Sequence, residues 1–275
     1  MHHVKAKGAE IPAIGLGTFT LKGDACRDLV ASAIDTGYRH VDTAAMYDNE
    51  AAVGEGLRLA RTPRDEVFVT TKVWYTNIAP GDLEASAEQS LARLGLDHVD
   101  LLLIHWPNPD IPLEDSIGAL NRVRERGLAR HIGVSNFTRP LLAEAVALSD
   151  APLVCNQVEY HPQLDQSSML ADLRSRDMAL VSYCPLGRGD TLTSPAVAEA
   201  ARAHGRTPGQ VILRWHVQQP GVVAIPRTSN PARLAENIGL FDFELSEAEM
   251  EAISALRSAG RRICDYAFSP VWDTD

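Results

Sequence analysis

The chain has 275 residues, 45% hydrophobic and 23% charged, with 19 Gly and 16 Pro, a composition that supports a sizeable buried core and excludes disorder, collagen and coiled coil. Acidic side chains outnumber basic ones 36 to 26, a formal charge of −10, so the whole-molecule field repels nucleic acid and anionic membranes. No stretch approaches the ~18 apolar residues of a membrane span, and the leading MHHVKAKGAEIP lacks the apolar run of a signal peptide, so a cytoplasmic protein is expected.

Short apolar runs alternate with amphipathic segments along the whole chain. In order, the pattern predicts a strand over 14–18, a helix over 24–35, a strand over 40–42, a helix over 50–60, a strand over 67–72 and a helix over 82–94. It continues with a strand over 99–105, a helix over 113–126, a strand over 131–135, a helix over 140–148, a strand over 154–159 and a helix over 167–176. Strands over 179–183 and 222–225, with a helix over 207–218 between them, complete the series. Pro80 with Asp82, and Thr207 with Pro208, carry the signatures of helix starts. Near-continuous apolar strands such as LLLIH, each followed by a helix, imply a parallel sheet covered on its outer face. Eight such units in one domain spanning 1–275 predict a closed (β/α)₈ TIM barrel. The competing doubly wound sheet would want G-x-G-x-x-G after the first strand; Gly15-Leu16-Gly17 begins that motif and Thr20 breaks it. The four cysteines are far apart with no C-x-x-C pair and read as free thiols.

In a barrel the chemistry sits where strands end. The second strand ends in Asp42 and leads within five residues to Tyr47, the third ends in Lys72, and the fourth ends in His105. Lys72 is one of only four lysines, and the strand end VFVTTK is a costly place for an unpaired charge. Asp42 supplies a counter-charge that would keep Lys72 protonated, and the ammonium is expected to lower the Tyr47 pKa toward working pH, as a general acid needs. His105 can hold a carbonyl oxygen with a neutral N–H. A metal reading of Asp42 with His105 or His161 lacks tight ligand spacing, and no metal is expected.

A carbonyl, a proton donor and an oxyanion stabiliser describe half of a reduction; a hydride source is still needed. Ser135 and Asn136, which end the fifth strand, and Gln157, which lies in the sixth, could orient a carboxamide, and Tyr183 offers a flat face for a nicotinamide ring. After the eighth strand, Arg227, Thr228 and Arg233 make a local positive cluster at a helix start, suited to a phosphate.

Three ordered stretches resemble the aldo-keto reductase signatures: GYRHVDTA with Tyr47, Glu50 and Gly54; HIGVSNF at 131–137; and IPRT through Asn237. With LLLIHWP and NQVEYHP between them, the resemblance covers essentially the whole chain. It implies a barrel reductase that uses NADPH without a Rossmann domain, with Tyr47 as acid, Lys72 and Asp42 tuning it, and His105 orienting the carbonyl. It also implies that Leu186, Gly187, Arg188 and Gly189 help cover the pyrophosphate, and that Arg227, Thr228 and Arg233 bind the 2′-phosphate with Glu236 and Asn237 near the adenosine. Position 227 is more often Lys in the family, and an Arg fork still serves a phosphate. Phe19, Trp74, Tyr75, His105, Trp106 and Trp272 match substrate-pocket positions, with the tail 264–275 closing over the mouth. The chain is most similar to the bacterial branch that includes 2,5-diketo-gluconate and methylglyoxal reductases. The expected partner is a small carbonyl substrate and the expected state a monomer. The alternative is an NADPH-binding regulatory subunit on the same barrel with incidental turnover.

Overall fold

The structure, a computed structural model, describes residues 2–273. An antiparallel hairpin, β1 (His3–Ala6) and β2 (Ala9–Pro12), precedes the barrel and pairs Lys5 with Glu10. The eight barrel strands follow as β3 (Leu16–Gly17), β4 (His40–Asp42), β5 (Phe68–Val73), β6 (Val99–Ile104), β7 (Ala129–Ser135), β8 (Leu153–Glu159), β9 (Ala179–Tyr183) and β10 (Val222–Ala224). They form one parallel sheet in sequence order. The sheet closes on itself where Gly15 N–H donates to Ala224 O at 2.9 Å, Ala224 N–H to Ala13 O at 2.9 Å, and Gly17 N–H to Pro226 O at 3.0 Å. Gly17 is required at this seam, because a Cβ there would lie 2.8 Å from the Ile225 carbonyl oxygen.

Between strands run α1 (Gly23–Thr36), α2 (Glu50–Leu59), α3 (Asp82–Leu94), α4 (Leu113–Glu125), α5 (Arg139–Leu148), α6 (Ser167–Ser175), α7 (Pro195–His204) and α8 (Pro208–Gln218). The strand β10 is followed by α9 (Ala232–Ile238) and α10 (Glu247–Ser254). Each expected helix is present, and α7 and α10 are additions that the apolar pattern did not predict. The expected starts hold: the Glu84 carboxylate accepts from Gly81 N–H at 2.7 Å, and Thr207 and Gln210 form a reciprocal capping box ahead of Pro208. Every residue of β6 and β8 is buried, as strands covered by helices outside and packed side chains inside must be. The first half of the barrel base is tied by Asp100, which bridges Arg64, Arg130 and Val69 N–H.

Candidate active site

The carboxyl ends of β4, β5 and β6 bring four expected residues together. The Lys72 ammonium is fully buried and donates to Asp42 Oδ1 at 2.5 Å, to Thr43 O at 2.8 Å and to the Tyr47 hydroxyl at 3.4 Å. An ammonium this deep is tolerable only because all three protons find acceptors. Tyr47 closes a short 3₁₀ turn, Ala45–Tyr47, whose backbone carbonyl accepts from Lys22 Nζ at 2.7 Å. Buried Asn49 pins the same loop, donating to Thr18 O and Leu21 O and accepting from Thr43 Oγ1. The ring of His105 stands edge-on to Tyr47 at 5.6 Å and to Trp74 at 5.2 Å.

The electrostatics correct one expectation. The Tyr47 hydroxyl is not drawn toward neutrality: burial, reinforced by the Asp42 charge, pushes it well above its ordinary value of 10. Lys72 spends its charge on Asp42 at 2.5 Å rather than on the phenol at 3.4 Å. Burial pulls the Lys72 ammonium below its ordinary value, against the opposing pull of Asp42. Burial first, and the Lys72 charge second, push His105 well below 6.5, so it stands neutral. Its Nδ1 is buried without a hydrogen-bond partner.

The second group lies on β7 to β9. Ser135 Oγ donates to Gln157 O at 2.8 Å, and Asn136, in a left-handed conformation at φ 63°, donates to His105 O at 3.0 Å and accepts from the Tyr183 hydroxyl at 2.8 Å. The Gln157 amide donates to Asp42 Oδ2 at 2.8 Å, which joins this group to the first. Leu186, Gly187, Arg188 and Gly189 form a tight turn after β9, with Arg188 in a left-handed conformation at φ 54°.

The expected phosphate cluster is split. Arg227 and Arg233 are exposed and make no ion pair among the described residues, and Arg227 is steadied by Phe19 O at 3.2 Å. Thr228 is buried, and its hydroxyl accepts from Asn230 N–H within its own turn, so it faces the loop. Glu236 accepts from Thr207 Oγ1 at 2.7 Å, which braces α9 against α8, and Asn237 is buried.

Aromatic rings wall the mouth. Phe19 lies 5.1 Å from Tyr47, and Trp74, Tyr75 and Trp106 ring the His105 side. Phe268, which the sequence puts in the closing tail but not among the pocket positions, is the hinge of the wall: it contacts Trp74 at 5.5 Å, Tyr75 at 4.8 Å and Trp106 at 5.4 Å. Tyr266 and Trp272 also meet Trp106, so the tail does close over the mouth.

The aldo/keto reductase family profile matches residues 13–258. The chain belongs to the aldo/keto reductase family. It is therefore an oxidoreductase acting on carbonyl compounds. This reductase is 39% identical over 266 residues to the methylglyoxal reductase DkgB of Salmonella typhi, an alignment covering 96% of this chain and 99% of that one. Its fold matches a candidate 2,5-diketo-D-gluconic acid reductase B with a TM-score of 0.97 at 46% identity, over 100% of this chain and 98% of the other. It also matches the Bombyx mori aldo-keto reductase, solved with NADP, at a TM-score of 0.88 and 34% identity over 96% of each chain.

Proposed function

We propose that this reductase converts small aldehydes and ketones to alcohols with NADPH, Tyr47 serving as the proton donor. The observation that carries this reading is the buried chain Asp42, Lys72, Tyr47 opening beside neutral His105 onto an aromatic-walled mouth. The names of the relatives, a methylglyoxal reductase and a candidate diketo-gluconate reductase, support small polar carbonyls as the substrate class. The residues fit a phosphorylated dinucleotide. Arg227 and Arg233 stand without acidic partners among the described residues, in a chain of net charge −10, and Tyr183 presents a half-buried ring at the rim with its hydroxyl fixed on Asn136. Arg227 and Arg233 would hold the 2′-phosphate, Leu186, Gly187, Arg188 and Gly189 would cover the pyrophosphate, and Ser135, Asn136, Gln157 and Tyr183 would hold the nicotinamide. NADPH, when bound, supplies hydride to the carbonyl carbon.

The chain's own residues do the rest. His105 Nδ1 has no acceptor, so its proton is cheaper on Nε2, which becomes a donor to the substrate oxygen. Tyr47 holds its proton at rest and releases it only to a far stronger base, the oxygen developing alkoxide character. The phenolate left behind lies beside the Lys72 ammonium, 3.4 Å away, which Asp42 keeps in place. The aromatic walls exclude water from this exchange.

The test is NADPH oxidation followed by absorbance with methylglyoxal, an aromatic aldehyde and 2,5-diketo-gluconate, with NADH in parallel. Substrate-dependent oxidation of NADPH is expected, and Arg227→Ala should weaken NADPH affinity about 10- to 100-fold while leaving NADH affinity unchanged. Tight NADPH binding with no carbonyl accelerating its oxidation would contradict the reading and favour a cofactor-binding regulatory subunit.

A further inference from the structure

Glu159, the last residue of β8, is a fully buried acid with no part in the chemistry above. Its Oε1 accepts from Ile263 N–H at 2.7 Å and its Oε2 from Cys264 N–H at 2.6 Å, both more than a hundred residues away in the chain. The third partner is His161, also fully buried, whose Nε2 lies 3.0 Å from Oε1. Gln163 N–H donates to His161 Nδ1 at 3.3 Å, which leaves Nε2 as the protonated nitrogen and therefore the donor to Glu159. A buried carboxylate is costly unless donors surround it, and here three do, two of them backbone amides of the tail. Those amides lie outside any strand or helix, so no backbone ladder supplies the acceptors that Glu159 provides.

One further tie runs alongside: Arg261 N–H donates to Gln163 O at 2.9 Å. The tail is thus stitched to the β8 rim over residues 261–264, immediately before Tyr266, Phe268 and Trp272 reach across to Trp74, Tyr75 and Trp106. We propose that Glu159 is a positioning residue that latches the tail to the barrel rim and thereby sets affinity and selectivity for bulky carbonyl substrates. The proposal rests on the reductase reading for its kinetic consequence, and its structural consequence stands apart from it.

The variant Glu159→Gln keeps the shape but offers one acceptor oxygen, so an NH₂ group confronts a tail amide. Ile263→Pro removes one amide donor from the tail side with Glu159 intact. Two readouts apply to each. Chymotrypsin cleavage after Tyr266 or Phe268, mapped by mass spectrometry on the full chain, reports release of the tail whether or not the protein is an active reductase. Steady-state kinetics with methylglyoxal and with an aromatic aldehyde separates binding from chemistry. Both variants should be cut in the tail about tenfold faster than wild type, and KM for the aromatic aldehyde should rise about tenfold, with its kcat and the methylglyoxal KM held within about threefold. A protected tail with unchanged KM in both variants overturns the proposal. So does a fall in kcat with KM and protection unchanged, which would place Glu159 in the chemistry. If Glu159→Gln does not fold, Ile263→Pro decides alone. A wild type that reduces no carbonyl sinks the reductase reading, while the cleavage comparison still tests the latch.

Discussion

His105 and Tyr47 are two titratable groups whose surroundings drive them away from neutrality in opposite senses. Burial and Lys72 push His105 well below 6.5, and burial with Asp42 pushes Tyr47 well above 10. A depressed histidine is neutral above its shifted value, and a raised phenol keeps its proton below its own. Neither group changes charge between about pH 6.5 and pH 9, so kcat/KM for carbonyl reduction at saturating NADPH should be flat across that interval. A decline as pH rises through about 6.5 would mean that a cationic His105 is needed, contrary to this account. At this scale the sequence was legible where chemistry and strand ends coincide: Asp42, Lys72 and His105 each end or follow an apolar run, and Tyr47 lies five residues beyond one. It was illegible where the outcome depends on competing distances. That Lys72 leans on Asp42 rather than on Tyr47 is a difference of under an ångström, which no residue pattern encodes.

The helix α2 carries Asn49 and Glu50 at its start and so fixes the turn that presents Tyr47. It lies against α3 with no room to spare: a Cβ on Gly54 would sit 2.1 Å from the Leu94 carbonyl oxygen, a backbone atom that cannot rotate away. Gly54→Ala should therefore destabilise the fold by about 1–3 kcal/mol, as overpacking of a tight contact does. Because the displaced helix drags the Tyr47 turn with it, turnover should fall as well. Thermal denaturation together with kcat checks both, and an unchanged melting temperature would show that α2 and α3 can part freely. Parallel strands buried on both faces read as unbroken apolar runs, which is why all eight were visible. The hairpin was not, because HVKAKGAEIP alternates polar and apolar residues over too short a length to stand out. Nor was α7, whose buried face, Val197, Ala200 and Ala201, is mostly alanine. The Glu159 latch joins positions 104 and 105 residues apart, and such a tie exists only once the barrel has folded.

For the molecule as a whole, buried neutral histidines set the acid limit of stability. His40, bonded to Thr70 beneath the site, and His216, on the buried face of α8 against Tyr160, are both pushed down to about 4, chiefly by burial. A histidine whose folded value is depressed contributes stability that is full above its unfolded value of 6.5 and is lost as pH falls toward 4. Each is worth on the order of 3 kcal/mol by that linkage, a large share of a typical folding free energy. The melting temperature should therefore drop steeply between about pH 6.5 and pH 4. A level profile over that range would show that neither histidine is buried in its neutral form.

The central claim is that Tyr47 delivers the proton, and the variant Tyr47→Phe removes that hydroxyl while keeping the ring that packs on Phe19 and His105. Measured with methylglyoxal at saturating NADPH, its kcat should fall about 10²- to 10⁴-fold, with NADPH affinity unchanged by fluorescence titration. A variant that turns over at the wild-type rate would contradict the account, because no other acid in the described structure stands beside both Lys72 and His105.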